Sequence, residues 1–261
     1  VNCKTSDDYN KKILFVGDSF VFGVGHNVED SFVHLFDCAN DFQVLNVGVS
    51  GAGLAEYKEI IKIQNYKDIK YVYLIFYDND ADIDTNRNTI LKRIKDYLKY
   101  QSFNYTLLKT FKNYIYTHFI DDQKKIHYLD GKINNLYSVI KHDPLVLKKW
   151  FKLDKQRKLK IEHQISEITK FLKKNSKAEL VVMVIPEVSV LSKKHRKFYK
   201  SLGVNYLPKL LEKSKLSNYI ELLSSKYDYK YLPFYEHLIN LYKSNDEDLY
   251  FNTDFHFNKK G

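Results

Sequence analysis

The sequence predicts an α/β protein: a five-stranded parallel sheet in a three-layer α/β/α sandwich, with a mainly helical insertion. Three observations carry this. Short apolar runs rich in Val, Ile, Leu, Phe and Tyr recur along the chain, each too short for a helix. Stretches with apolar residues three and four apart lie between them. Strands that alternate with helices pair in parallel and carry their crossover helices on both faces. A length of 261 residues suits one domain spanning 1–261, and 44% apolar content is enough for its core.

The elements follow in order. Residues 13–16 form an unbroken apolar run that stops at Gly17, which reads as a buried first strand over 12–17. Residues 29–40 read as a helix through Phe32, Val33, Leu35 and Phe36. A second strand is expected over 43–47, and a helix over 54–65 with Leu54, Tyr57, Ile60 and Ile61 on one side. Residues 70–77 make a third strand, rich in Tyr, Val, Ile and Phe. The rhythm then changes. Residues 86–156 hold many Lys, Tyr and Asn without clean alternation, and read as the helical insertion. Beyond it come a helix over 157–174, a strand over 179–185, helical sequence over 194–222, a weak fifth strand at 229–232 and a helix over 234–243.

Composition narrows the function. The formal charge is +10, but the basic residues are nearly all Lys, with Arg only at 87, 93, 157 and 196. Nucleic-acid sites lean on arginine forks, and this scattered lysine charge reads as solvated surface, so no nucleic-acid partner is expected. No apolar run approaches the ~18 residues of a membrane span. The chain opens on Val1, which favours an exported or membrane-anchored protein with an upstream segment over a cytoplasmic one. Cys3 and Cys38 form no CxxC or metal-ligand spacing; they read as a terminal cysteine and a small core residue, with one disulfide as the alternative in an oxidising compartment. Asp78, Asp80, Asp82 and Asp84 alternate without calcium-loop spacing. There is no dinucleotide fingerprint and no phosphate loop, so neither cofactor nor metal is expected.

Three turns follow the first three strands, and each carries a group that acyl transfer needs. Gly17-Asp18-Ser19 follows the first, the glycine-rich stretch Asn46–Gly53 the second, and Asn79 the third. In a parallel sheet these turns meet at the carboxyl edge. Ser19 can attack a carbonyl carbon if a base activates it. The Ser19 N–H, the Gly51 N–H and the Asn79 amide can hold the developing oxyanion, each such donor being worth ~3 kcal/mol of barrier. Gly48 is a second candidate for the part given to Gly51. Asp18 reads as a turn-stabilising residue and His26 as a solvent-facing loop residue. The base comes from the far end of the chain, where Asp254-Phe255-His256 places a carboxylate two residues before an imidazole. His256 takes the Ser19 proton and Asp254 holds its tautomer.

Gly-Asp-Ser-Phe, Asn-x-Gly-x-x-Gly, Asn-Asp and Asp-x-His-x-Asn-x-x-Gly, in that order, resemble the four blocks of the SGNH (GDSL-type) hydrolase superfamily. The resemblance implies a flavodoxin-like sandwich and a metal-free esterase. It puts the nucleophile on Ser19, the oxyanion glycine on Gly51, the oxyanion asparagine on Asn79, and the Asp and His on Asp254 and His256. Two positions depart from the family pattern. Tyr77 stands where a glycine is usual two residues before Asn79, and the last block is Asp-x-His rather than Asp-x-x-His. The shorter spacing resembles the polysaccharide-acetyl branch. The family usually continues into a final helix past the position of Gly261. The expected activity is removal of a short acyl group, an O-acetyl on a carbohydrate. The alternatives are a lipase, lysophospholipase or thioesterase acting on longer chains, and a catalytically silent glycan-binding module.

Overall fold

The computed structural model describes residues 11–77, 80, 153–201, 207, 209–245, 249–250 and 256–258. All belong to one of two compact units; the second, Asp84–Tyr137, lies outside the described residues, as do positions 86–152 of the expected insertion.

The described strands are β1 Lys12–Val16, β2 Gln43–Asn46, β3 Ile69–Phe76, β4 Glu179–Val184 and β5 Lys230–Tyr231. The helices are α1 Ser19–Phe22, α2 Phe32–Ala39, α3 Leu54–Lys62, α4 Lys155–Asn175, α5 Val188–Leu191, α6 Lys193–Ser201, α7 Lys215–Tyr227 and α8 Phe234–Asn245. The strands form one sheet in the order β2-β1-β3-β4-β5, with every pair parallel. This is the flavodoxin-like arrangement. The chain winds outward from β1 to β2, then crosses to β3 on the other side of β1. The carboxyl ends of β1 and β3 therefore flank the switch point, where such sheets open a crevice.

Register sorts the strand residues into two faces. Leu14 pairs with Val72, Val16 with Leu74, and Leu74 with Val182, so these share one face. Tyr57 of α3 meets Phe76 there, with ring centroids 6.4 Å apart. Ile161, Ile165, Ile168 and Leu172 of α4, spaced four, three and four apart, are all buried. On the other face Phe15 stacks on Tyr73 at 4.9 Å and meets Phe36 of α2 at 5.3 Å.

Several boundaries moved for local reasons. The expected helix over 29–40 is a single 3₁₀ turn at Val28–Asp30 followed by α2, because the Ser31 hydroxyl accepts the His34 N–H and starts a new helix. Lys155 and Gln156, placed in the insertion by composition, belong to α4, whose cap is Asp154 accepting from the Arg157 N–H at 2.9 Å. The helical sequence over 194–222 divides into α6 and α7. Pro208 has no N–H for a helix interior, Leu211 adopts φ +57°, and Ser214 caps α7 by accepting from Ser217 N–H. Helices α1 and α5 are single turns too short to leave a periodic signal. Cys38, read as a small core residue with a disulfide as the alternative, is disulfide-bonded. No described helix is long and apolar enough to cross a membrane.

Candidate active site

The nucleophile candidate stands on the one-turn helix that leaves β1. Asp18 caps it: one carboxylate oxygen accepts the Phe20 N–H at 3.0 Å. Gly23 ends it in the left-handed region at φ +83°, donating its N–H to the Ser19 and Phe20 carbonyls. The turn folds back so tightly that a side chain on Gly17 would lie 2.4 Å from Val21. Ser19 is thereby held at the strand end, 9% exposed, with its own N–H in the first turn, where donors lack intrahelical acceptors. Burial pushes the Asp18 carboxyl above the usual carboxylate range, against the opposing pull of the Phe20 N–H and of His256.

The second turn is tied to the first. The ladder continues past β2, with Val47 N–H donating to the Phe15 carbonyl and Val49 N–H to that of Gly17, both at 3.0 Å. Asn46 donates its amide to the Val21 carbonyl at 2.8 Å and accepts the Gly48 N–H at 2.9 Å. A Cβ on Gly48 would lie 2.4 Å from the Phe22 nitrogen, so glycine is required there by close backbone approach. The Gly48 N–H is occupied within this clamp, which removes it as an oxyanion donor. Gly51 is exposed, with φ +77°, in the turn closed by Ala52 N–H on the Val49 carbonyl. Its torsion is the one that the third residue of a type II turn needs.

After β3, Tyr77 is buried against Phe20 with ring centroids 4.8 Å apart, and donates its N–H to the Asp80 carboxylate at 2.8 Å. The side chain that departs from the family pattern is therefore packing beneath α1. Asn79 and Asp254 lie outside the described residues, as do Asp78, Asp82 and Asp84. Among the described residues no group of three or more His, Cys, Asp and Glu could hold a metal.

The base candidate arrives from the other end of the chain. Tyr250 and Phe257 form an antiparallel bridge, and Asn258 donates its N–H to the Leu249 carbonyl and its side-chain amide to the Tyr250 carbonyl, both at 2.9 Å. Tyr250 is anchored in turn by its hydroxyl on the Pro186 carbonyl, just past β4. This short bridge sets His256 over Phe20, ring centroids 5.0 Å apart. The imidazole Nε2 lies 2.8 Å from the Ser19 hydroxyl oxygen, across 237 residues of sequence. With the proton on Nδ1, the hydroxyl donates to Nε2, the arrangement in which an imidazole can accept the serine proton. Ser19 and His256 share a cavity of about 130 Å³ with His26, Asp30 and Phe32. His26, expected to face solvent, is instead 2.7 Å from the Phe257 carbonyl. Nothing local announced that contact, because its partner is 231 residues away.

No protein-family model and no curated protein matches the chain. Among solved structures, it is similar to the SGNH-hydrolase family esterase AlinE4, at 14% identity over 94% of this chain and 86% of that one, with a TM-score of 0.45. Phospholipase A1 from Streptomyces albidoflavus NA297 is similar at 13% identity over 96% and 93% of the two chains, with a TM-score of 0.49. The gut microbial diltiazem-metabolizing enzyme BT4096 matches at 12% identity over 98% of this chain and 44% of its own, with a TM-score of 0.47.

Proposed function

We propose that the protein is a serine hydrolase of carboxylic esters. The observation that carries this reading is the 2.8 Å contact between the Ser19 hydroxyl and His256 Nε2 at the switch point of a parallel sheet. Ser19 attacks the ester carbonyl while His256 takes its proton. The oxyanion of the tetrahedral intermediate is held by the N–H groups of Ser19 and Gly51 and the amide of Asn79. His256 then gives the proton to the departing alcohol, leaving an acyl group on Ser19. Water, activated by the same imidazole, hydrolyses that ester and restores the serine. Asp254 orients the imidazole throughout.

The substrate read from the sequence is a short acyl group, an O-acetyl on a carbohydrate, and the 130 Å³ cavity beside Ser19 is of a size for it. A second reading, a longer acyl chain, is favoured by a larger apolar cavity of about 410 Å³ that shares Phe32, Leu35 and Phe257 with the first. A series of p-nitrophenyl esters separates them: acetate over octanoate supports the first, the reverse order the second. The hydrolase reading itself is tested with a fluorophosphonate probe. Intact mass should rise by one adduct, absent in Ser19→Ala and nearly absent in His256→Ala. A folded wild-type protein that stays unlabelled and inactive would favour a glycan-binding module that has lost its chemistry. An exported or anchored location is also proposed, and the disulfide at Cys38 supports it, since such bonds persist in oxidising compartments.

A further inference from the structure

We infer that His26 is a positioning residue for the base: its imidazole clamps the backbone of the segment that carries His256. The inference rests on the hydrolase reading above, but its geometry stands separately. His26 Nε2 donates to the Phe257 carbonyl at 2.7 Å, one residue past His256. The turn that presents His26 begins at Gly23, the residue that ends the nucleophile's helix. Gly23 and Gly25 adopt φ +83° and +86°, and His26 N–H closes the turn on the Gly23 carbonyl at 3.1 Å. Such torsions are open to glycine at no steric cost. The result is a closed ring of contacts: Ser19, α1, the Gly23–His26 turn, the Phe257 carbonyl, His256, and back to the Ser19 hydroxyl.

The ring matters because it is a directional tie between the tail and the nucleophile's own turn. The Tyr250 bridge and the Pro186 carbonyl tie the tail to the end of β4. Phe20 supports the His256 and Phe257 rings by apolar contact, which has little directional preference. The His26 hydrogen bond fixes the tail relative to the nucleophile's own turn. A hydrogen bond is directional and short-ranged. A base displaced by about 1 Å can cost roughly 100-fold in rate.

The test compares His26→Phe, which keeps a ring but loses the donor, with His26→Gln, whose amide nitrogen reaches a similar place. In an ester-hydrolysis assay His26→Phe should lower kcat by roughly 10- to 100-fold with KM little changed, and slow fluorophosphonate labelling of Ser19 in step. His26→Gln should recover most of the rate. Hydrogen exchange at the amides of 256–258 should speed up in His26→Phe and not in His26→Gln. Equal losses in both variants would assign His26 to ring packing and overturn the clamp, as would unchanged kcat and exchange in His26→Phe. An inactive, unlabelled wild type would sink the hydrolase reading, while the exchange comparison would still decide the clamp.

Discussion

On one face of the sheet Leu14, Val16, Val72, Leu74 and Val182 lie under α3, α4 and α7, and each of the five is at 0% exposure. On the other face Phe15, Tyr73 and Met183 line a cavity of about 410 Å³ between α2 and α8. There Leu35 and Leu232 are left 44% and 39% exposed. The strands supply apolar side chains to both faces. Among the described residues the difference lies in how the helices cover them: α3, α4 and α7 leave the first five side chains fully buried, while α2 and α8 leave a cavity over the second set. Strand composition thus sets which side chains point at a layer, and the helices above decide whether that layer is packed.

The largest effect should come from cutting into the filled face. Leu74→Ala should lose ~2–5 kcal/mol in denaturant unfolding, because closely packed neighbours cannot collapse into the space. Gly48→Ala extends the comparison to the strand ends. Its new methyl meets backbone atoms of Val21 and Phe22, which cannot rotate away, so it should cost ~1–3 kcal/mol and reduce labelling of Ser19 by shifting α1. On the hollow face Leu35→Ala should cost under ~1 kcal/mol, since that side chain is already partly in water. A loss as large as that of Leu74→Ala would mean that the second face is closed in solution, and the comparison would fail.

The smallest effect concerns a charge held at the rim of the filled face. Burial raises the Asp18 pKa above 3.8, so folding favours its protonated form. Stability from this group is complete at low pH and is lost as pH rises through the raised value. Asp18→Asn keeps an oxygen for the Phe20 N–H and removes the buried charge. Its melting temperature should stand at or above wild type near pH 7, with the advantage vanishing in acid. A variant less stable at neutral pH by the same margin as Asp18→Ala, for which loss of the cap costs ~1 kcal/mol, would show that the ionised carboxylate is needed.

Much of this was legible in the residues. The central strands β1, β3 and β4 were visible as apolar runs, because a strand buried on both faces holds few polar side chains, whereas the edge strands β2 and β5 are only partly buried and left a weaker signal. The helix over 157–174 was visible because the Ile161, Ile165 and Ile168 stripe repeats at helical spacing. The split at Ser214 was not, since capping competes with an amphipathic pattern that continues across it. At the site, Ser19 stood out because a glycine-bounded strand end must be followed by a turn. The proper place of Gly48 did not stand out. Its N–H is taken by Asn46, and a glycine's role depends on which backbone approaches it.

The sequence by itself determined the order of the five strands and the longer helices between them, because hydrophobic period, turn chemistry and capping are properties of neighbours along the chain. Only the tertiary structure decided that the Ser19 hydroxyl meets His256, that His26 meets the Phe257 carbonyl, and that, among the described residues, one side of the sheet is closely packed while the other carries a cavity. Those outcomes join residues more than two hundred positions apart, or compare whole layers. They are settled by strand order and helix placement, which no local pattern encodes.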